Sequence, residues 1–143
     1  MATLPTPNRP PRRLAAMLAT VLNGEPAVAR WWRGLLLVLL CVITLLALAP
    51  APPKEADLGW DKLNHFAAFA ALAVVATLGY ARTTVAVAIG LLAYGALIEL
   101  LQSLTPSRSA EWADLVADGI GIGIGLLVAA LLARLVRWLT PAR

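Results

Sequence analysis

Four stretches of this chain are long, apolar and almost free of charge, and that pattern constrains the fold more than any other feature of the sequence. Gly34 to Pro53 holds no charged residue, and its centre, Leu35 to Ala49, reads LLLVLLCVITLLALA. With Trp31 and Trp32 it is long enough for one membrane helix, and Pro50, Pro52 and Pro53 end it. Leu63 to Ala81 is again free of charge, and its 19 residues at about 1.5 Å each span the hydrocarbon core of roughly 30 Å. After Arg82 and Thr83 a third run extends from Thr84 to Leu104 with Glu99 as its sole charge, so spans two and three read as a tight antiparallel hairpin. Gly119 to Ala133 is short by itself. It becomes a full span when the helix begins near Ala110 or Trp112 and continues toward Trp138, which places Asp114 and Asp118 inside it.

Composition agrees with lipid as the solvent. Apolar residues make up 60% of the chain and charged residues 14%, against about a half and about a quarter in soluble domains. A chain of 143 residues cannot hide that much apolar surface in one aqueous core, and it is too apolar for disorder. The net charge of +4 does not indicate nucleic acid, because the basic residues lie at span ends rather than in one patch. The single cysteine, Cys41, excludes a disulfide framework within the chain and a cysteine-based metal site.

The five tryptophans mark the span boundaries: Trp31, Trp32, Trp60, Trp112 and Trp138 all fall near an end, where an amphipathic ring favours the headgroup zone. Nine basic residues (Arg9, Arg12, Arg13, Arg30, Arg33, Arg82, Arg134, Arg137 and Arg143) fall on one side of the spans, and Lys54, Lys62 and Arg108 on the other. Positive loops stay in the cytoplasm, so both termini are expected there. The expected fold is an all-α integral membrane protein, a four-transmembrane-helix bundle. Residues 1–30, with Pro5, Pro7, Pro10 and Pro11, read as a flexible cytoplasmic tail, and residues 31–140 as the membrane domain. Arg12 and Arg13 before LAAMLATVL imitate a secretory signal, but no small-residue cleavage site leads into a soluble domain.

Ionisable groups inside membrane helices are expensive when they face lipid, so their positions report on partners or function. Counted from the span ends, His65 and Glu99 lie about 7.5 Å deep and Asp118 about 9 Å, so three helices contribute one polar residue each to a single layer. Asp61, Gln102 and Asp114 form a second layer above it, flanked by Lys62 and Arg108. Spacings of three and four residues put the two layers on one face of each helix. The pattern predicts one outward-facing polar pocket. Gly121 and Gly125 share the face of Asp118 and read as a close-packing stripe rather than a phosphate loop, since no P-loop lysine accompanies them.

Several chemistries fit these residues. His65, Glu99 and Asp118 are candidate catalytic groups for acid/base work, because a histidine oriented by a carboxylate can move a proton. One histidine with several carboxylates can also hold a divalent ion, although a single imidazole does not make an ordinary zinc site, and no metal or cofactor is predicted. Mutual neutralisation that merely holds three helices together is the third option. Lys62 and Arg108 either bind an anionic headgroup or snorkel to the interface.

These pieces resemble the VanZ-like family of small bacterial membrane proteins. The resemblance rests on DKLNHFAAF (Asp61, Lys62, His65, Phe66, Phe69), IELLQ (Glu99, Gln102), Arg108 and DLVADGIGIGIG (Asp114, Asp118, Gly121, Gly125), and covers roughly Leu35 to Leu139. It implies a four-helix membrane protein, and the name-giving member is associated with resistance to the glycopeptide teicoplanin. Asp118 departs from the pattern, since many members carry Asn there. The reading that follows is a pocket formed by Asp61, Lys62, His65, Glu99, Gln102, Arg108, Asp114 and Asp118 that binds a lipid-linked or anionic envelope component. Acid/base or transfer chemistry on such a lipid is the alternative. The bilayer is the expected partner, and nucleic acid is not.

Overall fold

Proline at a first helical position lacks an N–H that would be orphaned anyway, and here it starts a helix five residues before Trp31. The computed structural model describes residues 20, 25–50, 59–80, 83–106 and 111–139. Helix α1 runs Pro26–Leu48, α2 Asp61–Gly79, α3 Thr84–Ser103 and α4 Trp112–Leu139. All four are long and apolar enough to cross a membrane. The loop around Lys54, the link at Arg82, Arg108 and both chain ends, including Leu14 and Arg143, lie outside the described residues.

The early start of α1 brings Arg30 and Arg33 into the helix. Arg33 then serves a neighbour: its Nε donates to the carbonyl of Gly79 at 2.7 Å, and its guanidinium lies 4.9 Å from the centre of the Tyr80 ring. A cation there satisfies an orphan carbonyl and complements the negative end of the helix dipole. Helix α2 ends at this contact, at Gly79 rather than at Ala81, and Tyr80 beside it has extended backbone. At its other end α2 follows Gly59, whose φ of 80° suits glycine, and begins with Asp61 at the positive end of its dipole. Helix α4 is matched to its own dipole by Asp114 in the first turn and Arg137 in the last.

Helix α2 touches the other three and forms the centre of the bundle. Its buried face carries His65, Phe69, Leu72, Ala73, Val75, Ala76 and Gly79. Leu36, Val87, Leu91 and Ile122 complete the apolar core from the other helices. Large apolar side chains such as Leu37, Leu45, Ile89, Leu97, Leu127 and Leu131 cover the outside, as a lipid-facing surface requires. Trp31, Trp60, Trp112 and Trp138 are all exposed at helix ends.

The short link between α2 and α3 suggests that these two pack most closely, but the main partner of α2 is α4. Small residues decide the matter. A Cβ on Gly121 would run into the carbonyl oxygen of Phe66, and one on Gly125 into the carbonyl oxygen of Ala70, so the two backbones are in direct contact. Gly123, by contrast, has nothing within 4 Å of its missing Cβ. Gly121→Ala and Gly125→Ala are therefore each expected to destabilise the protein by about 1–3 kcal/mol through overpacking. Gly123→Ala should leave stability unchanged or raise it, as thermal unfolding in detergent will measure.

Candidate functional site

Helices α2 and α4 start, and α3 finishes, at the same end of the bundle, so the polar residues at these termini converge. Asp61, Lys62 and His65 come from α2, Glu99 from α3, and Asp114 and Asp118 from α4. His65 is central. Its Nδ1 stands 2.9 Å from Oδ1 of Asp118, and its Nε2 3.8 Å from Oε1 of Glu99. Asp114 and Asp118 are almost wholly buried, at 1% and 0% exposure, and His65 and Glu99 lie nearly as deep.

A rim of more exposed groups stands above this floor. Lys62 donates to Glu111 Oε2 at 2.7 Å and lies 3.4 Å from Asp114 Oδ1, an ion pair without hydrogen-bond geometry. The ammonium holds the Glu111 carboxyl below its ordinary carboxylate range. The backbone N–H of Glu111 donates to Glu99 Oε2 at 2.8 Å, so the α3 carboxylate sits at the N-terminal end of α4, where the dipole favours an anion. Asp61 is exposed, and its carboxylate, a ring nitrogen of His65 and the carboxylate of Asp114 place one candidate ligand atom each within 4.8 Å of one another.

One residue of the expected pocket does not join this group. Gln102 is buried, but its Nε2 donates to the Ala47 carbonyl at 3.2 Å and fastens α3 to the end of α1 instead. Arg108 lies outside the described residues. Conversely, three participants are not apparent from polarity along the spans. Glu111 precedes α4 and bridges Lys62 to Glu99. Gly95 makes room for Asp118, since its Cβ would fall on Oδ2 of that carboxylate. Phe69 lies parallel to the His65 ring at a centroid distance of 6.4 Å and meets Tyr94 at 5.8 Å. The four-residue spacings from Gly95 to Glu99 and from His65 to Phe69 are the available sequence signals.

Among the described residues four buried oxygens have no hydrogen-bond partner: Glu99 Oε1, Gln102 Oε1, Asp114 Oδ1 and Asp118 Oδ2. Leaving a buried polar atom unsatisfied costs about 1–3 kcal/mol, so a set of them concentrated at one end calls for a use. His65 is oriented through Nδ1 by a buried carboxylate, which leaves Nε2 able to take a proton or a ligand. Among the described residues the group is strongly acidic, with Lys62 its only lysine or arginine.

The closeness of Gly95 to Asp118 is testable by a double-mutant cycle. Gly95→Ala should destabilise the protein by about 1–3 kcal/mol, and by clearly less in an Asp118→Ala background, where the colliding oxygen is gone. Equal losses in both backgrounds, read by thermal unfolding, would place the strain elsewhere.

Comparison with known proteins agrees with the architecture. The model of the VanZ/LLP1 family matches residues 29–133, a segment that contains every residue of the polar cluster. No curated protein and no solved structure matches the chain. Its four helices, its ordered polar motifs and the family match over most of its length lead to one conclusion: the chain belongs to the VanZ/LLP1 family.

Proposed function

We propose that the protein is a multi-pass protein of the bacterial cytoplasmic membrane whose acidic, histidine-centred cluster faces outward and binds a lipid-linked component of the cell envelope. The observation that carries this reading is the combination of a buried floor (His65, Glu99, Asp114, Asp118) with a rim that reaches solvent (Asp61, Lys62, Glu111). A cluster built only to hold helices together has no need of an open rim or of unsatisfied oxygens beneath it. Family membership supports a link to glycopeptide resistance of the teicoplanin type. The ligand engages through donors of its own, hydroxyl or amide, because Lys62 is already held by Glu111 and Asp114. An anionic headgroup has to displace these acids or draw on Arg108.

Orientation rests on the distribution of lysine and arginine. Arg30, Arg33, Arg134 and Arg137 lie toward the end of the bundle opposite the cluster, which supports a cytoplasmic placement of that end and of both termini. The paired His65 and Asp118 favour a second reading, acid/base or transfer chemistry on the same class of lipid with Nε2 as the working atom.

A reporter active only in the cytoplasm should function when fused after Arg143 or in the link at Arg82, and should fail in the loop at Lys54. Activity at Lys54 would place the cluster inside. Glu99→Gln is expected to change stability by no more than about 1 kcal/mol, the worth of one interhelical hydrogen bond, and to abolish an envelope phenotype such as glycopeptide susceptibility. Asp118→Asn should be milder, since an amide oxygen still accepts from Nδ1. Loss of folding in step with loss of phenotype would reduce the cluster to a structural role.

A further inference from the structure

The acidic cluster has the donor set and the wiring of a cation site. We infer that Asp61, His65 and Asp114 bind one divalent first-row transition ion, Mn2+ or Zn2+, with Glu99 at its edge and Asp118 as the residue that positions the histidine. The inference goes beyond the envelope-ligand reading and stands whether or not that ligand is a lipid.

Geometry comes first. Ligands on one such ion lie about 2.0–2.2 Å from it, so two of them are separated by roughly 3–4.4 Å. One candidate atom each of Asp61, His65 and Asp114 lies within 4.8 Å of the others, at most about 0.4 Å beyond that range. These residues come from only two helices, α2 and α4, whose spacing is fixed by backbone contact at Gly121 and Gly125. The site is therefore held by rigid elements rather than by loops.

Wiring is the second, independent observation. A metal-bound histidine donates its other ring N–H to a carboxylate or carbonyl, which fixes the tautomer and aims the free nitrogen. Asp118, with no exposure at all, occupies that position at 2.9 Å from Nδ1, which assigns coordination to Nε2 in this proposal. Asp114 Oδ1, 3.4 Å from the Lys62 ammonium, has no hydrogen-bond partner among the described residues and belongs to a side chain 98% buried. Glu99 Oε1, likewise without one, stands 3.8 Å from Nε2. Three buried carboxylates around one imidazole carry more negative charge than Lys62 offsets, and a divalent ion balances them. The mixture of imidazole and carboxylate oxygen, with no thiolate, favours Mn2+ or Zn2+ over copper, and the imidazole disfavours Ca2+ and Mg2+. A cation here makes His65 a ligand rather than a base. It also gives phosphate-bearing headgroups an attractive surface in place of a repulsive one.

The test uses the full chain in mild detergent, stripped with a chelator and titrated with MnCl2 under electron paramagnetic resonance and calorimetry. The expected result is a single Mn2+ per chain, displaced by Zn2+, with nitrogen hyperfine coupling from one imidazole. Asp61→Asn alters an exposed side chain outside the core, so it should lower the metal-free melting temperature only slightly, through one lost dipole charge, and weaken Mn2+ binding at least tenfold. Asp118→Asn should weaken it by about 10–100-fold, as loss of a partner to a ligating histidine does. His65→Gln should abolish the nitrogen coupling. Substoichiometric binding by the parent protein, an absent nitrogen signal, or undiminished binding by Asp61→Asn would each overturn the assignment. None of these readings involves lipid or antibiotic susceptibility, so the cation site and the envelope-ligand reading can fail separately.

Discussion

The hydrogen bond between His65 and Asp118 crosses the contact between α2 and α4, and it is short only because two glycines allow these backbones to touch. A side chain at either glycine would separate the helices by the width of a methyl group, enough to break a bond of 2.9 Å. The rest of the cluster depends on that separation. Lys62 reaches across it to Glu111, and Glu99 follows because Glu111 donates to it through its backbone. Packing and electrostatics are thus one problem here: the glycine stripe sets the distance, and the distance sets which charges meet.

Charge along the helices was the legible part. Lipid forbids exposed charge, so the four runs mark the four helices within a few residues, and counting from their ends brings His65, Glu99 and Asp118 to a common depth. The polar faces and the glycine stripe were legible too, but not which helix meets which. Nothing in the order of apolar residues says that α2 prefers α4 over its nearer neighbour α3, or that Gln102 turns to the Ala47 carbonyl instead of the histidine. Both depend on which small residues face each other, a property of pairs of helices rather than of either one. The ends of α1 and α2 shifted for a related reason. Arg33 is read from sequence as a boundary charge, yet it enters the helix to hold the Gly79 carbonyl of its neighbour.

A second tie runs through the hydroxyl of Tyr94. It donates to the Leu40 carbonyl at 2.9 Å, and Thr44 shares the same acceptor at 2.8 Å. Through Phe69 this ring is also connected to the imidazole. Helix α1 carries none of the clustered ionisable groups, but it holds α3 at two levels, by Tyr94 and by Gln102. Its contribution is to keep Glu99 in register with His65.

Helices α2 and α4 run in the same direction and begin together, but α2 has 19 residues and α4 has 28. Gly79 lies 14 residues beyond His65 and so is level with the region of Leu132 in α4, leaving the last two turns projecting about 10 Å past the end of α2. Those turns carry Arg134, Arg137 and Trp138, side chains able to follow an interface up or down. The bundle therefore combines an inner height fixed by α2 with an adjustable outer collar. In a thicker bilayer the collar joins the span, and in a thinner one its arginines reach back to the interface, so α4 need not tilt to relieve its excess length. The polar cluster, at the opposite end, keeps its geometry across membranes of different thickness.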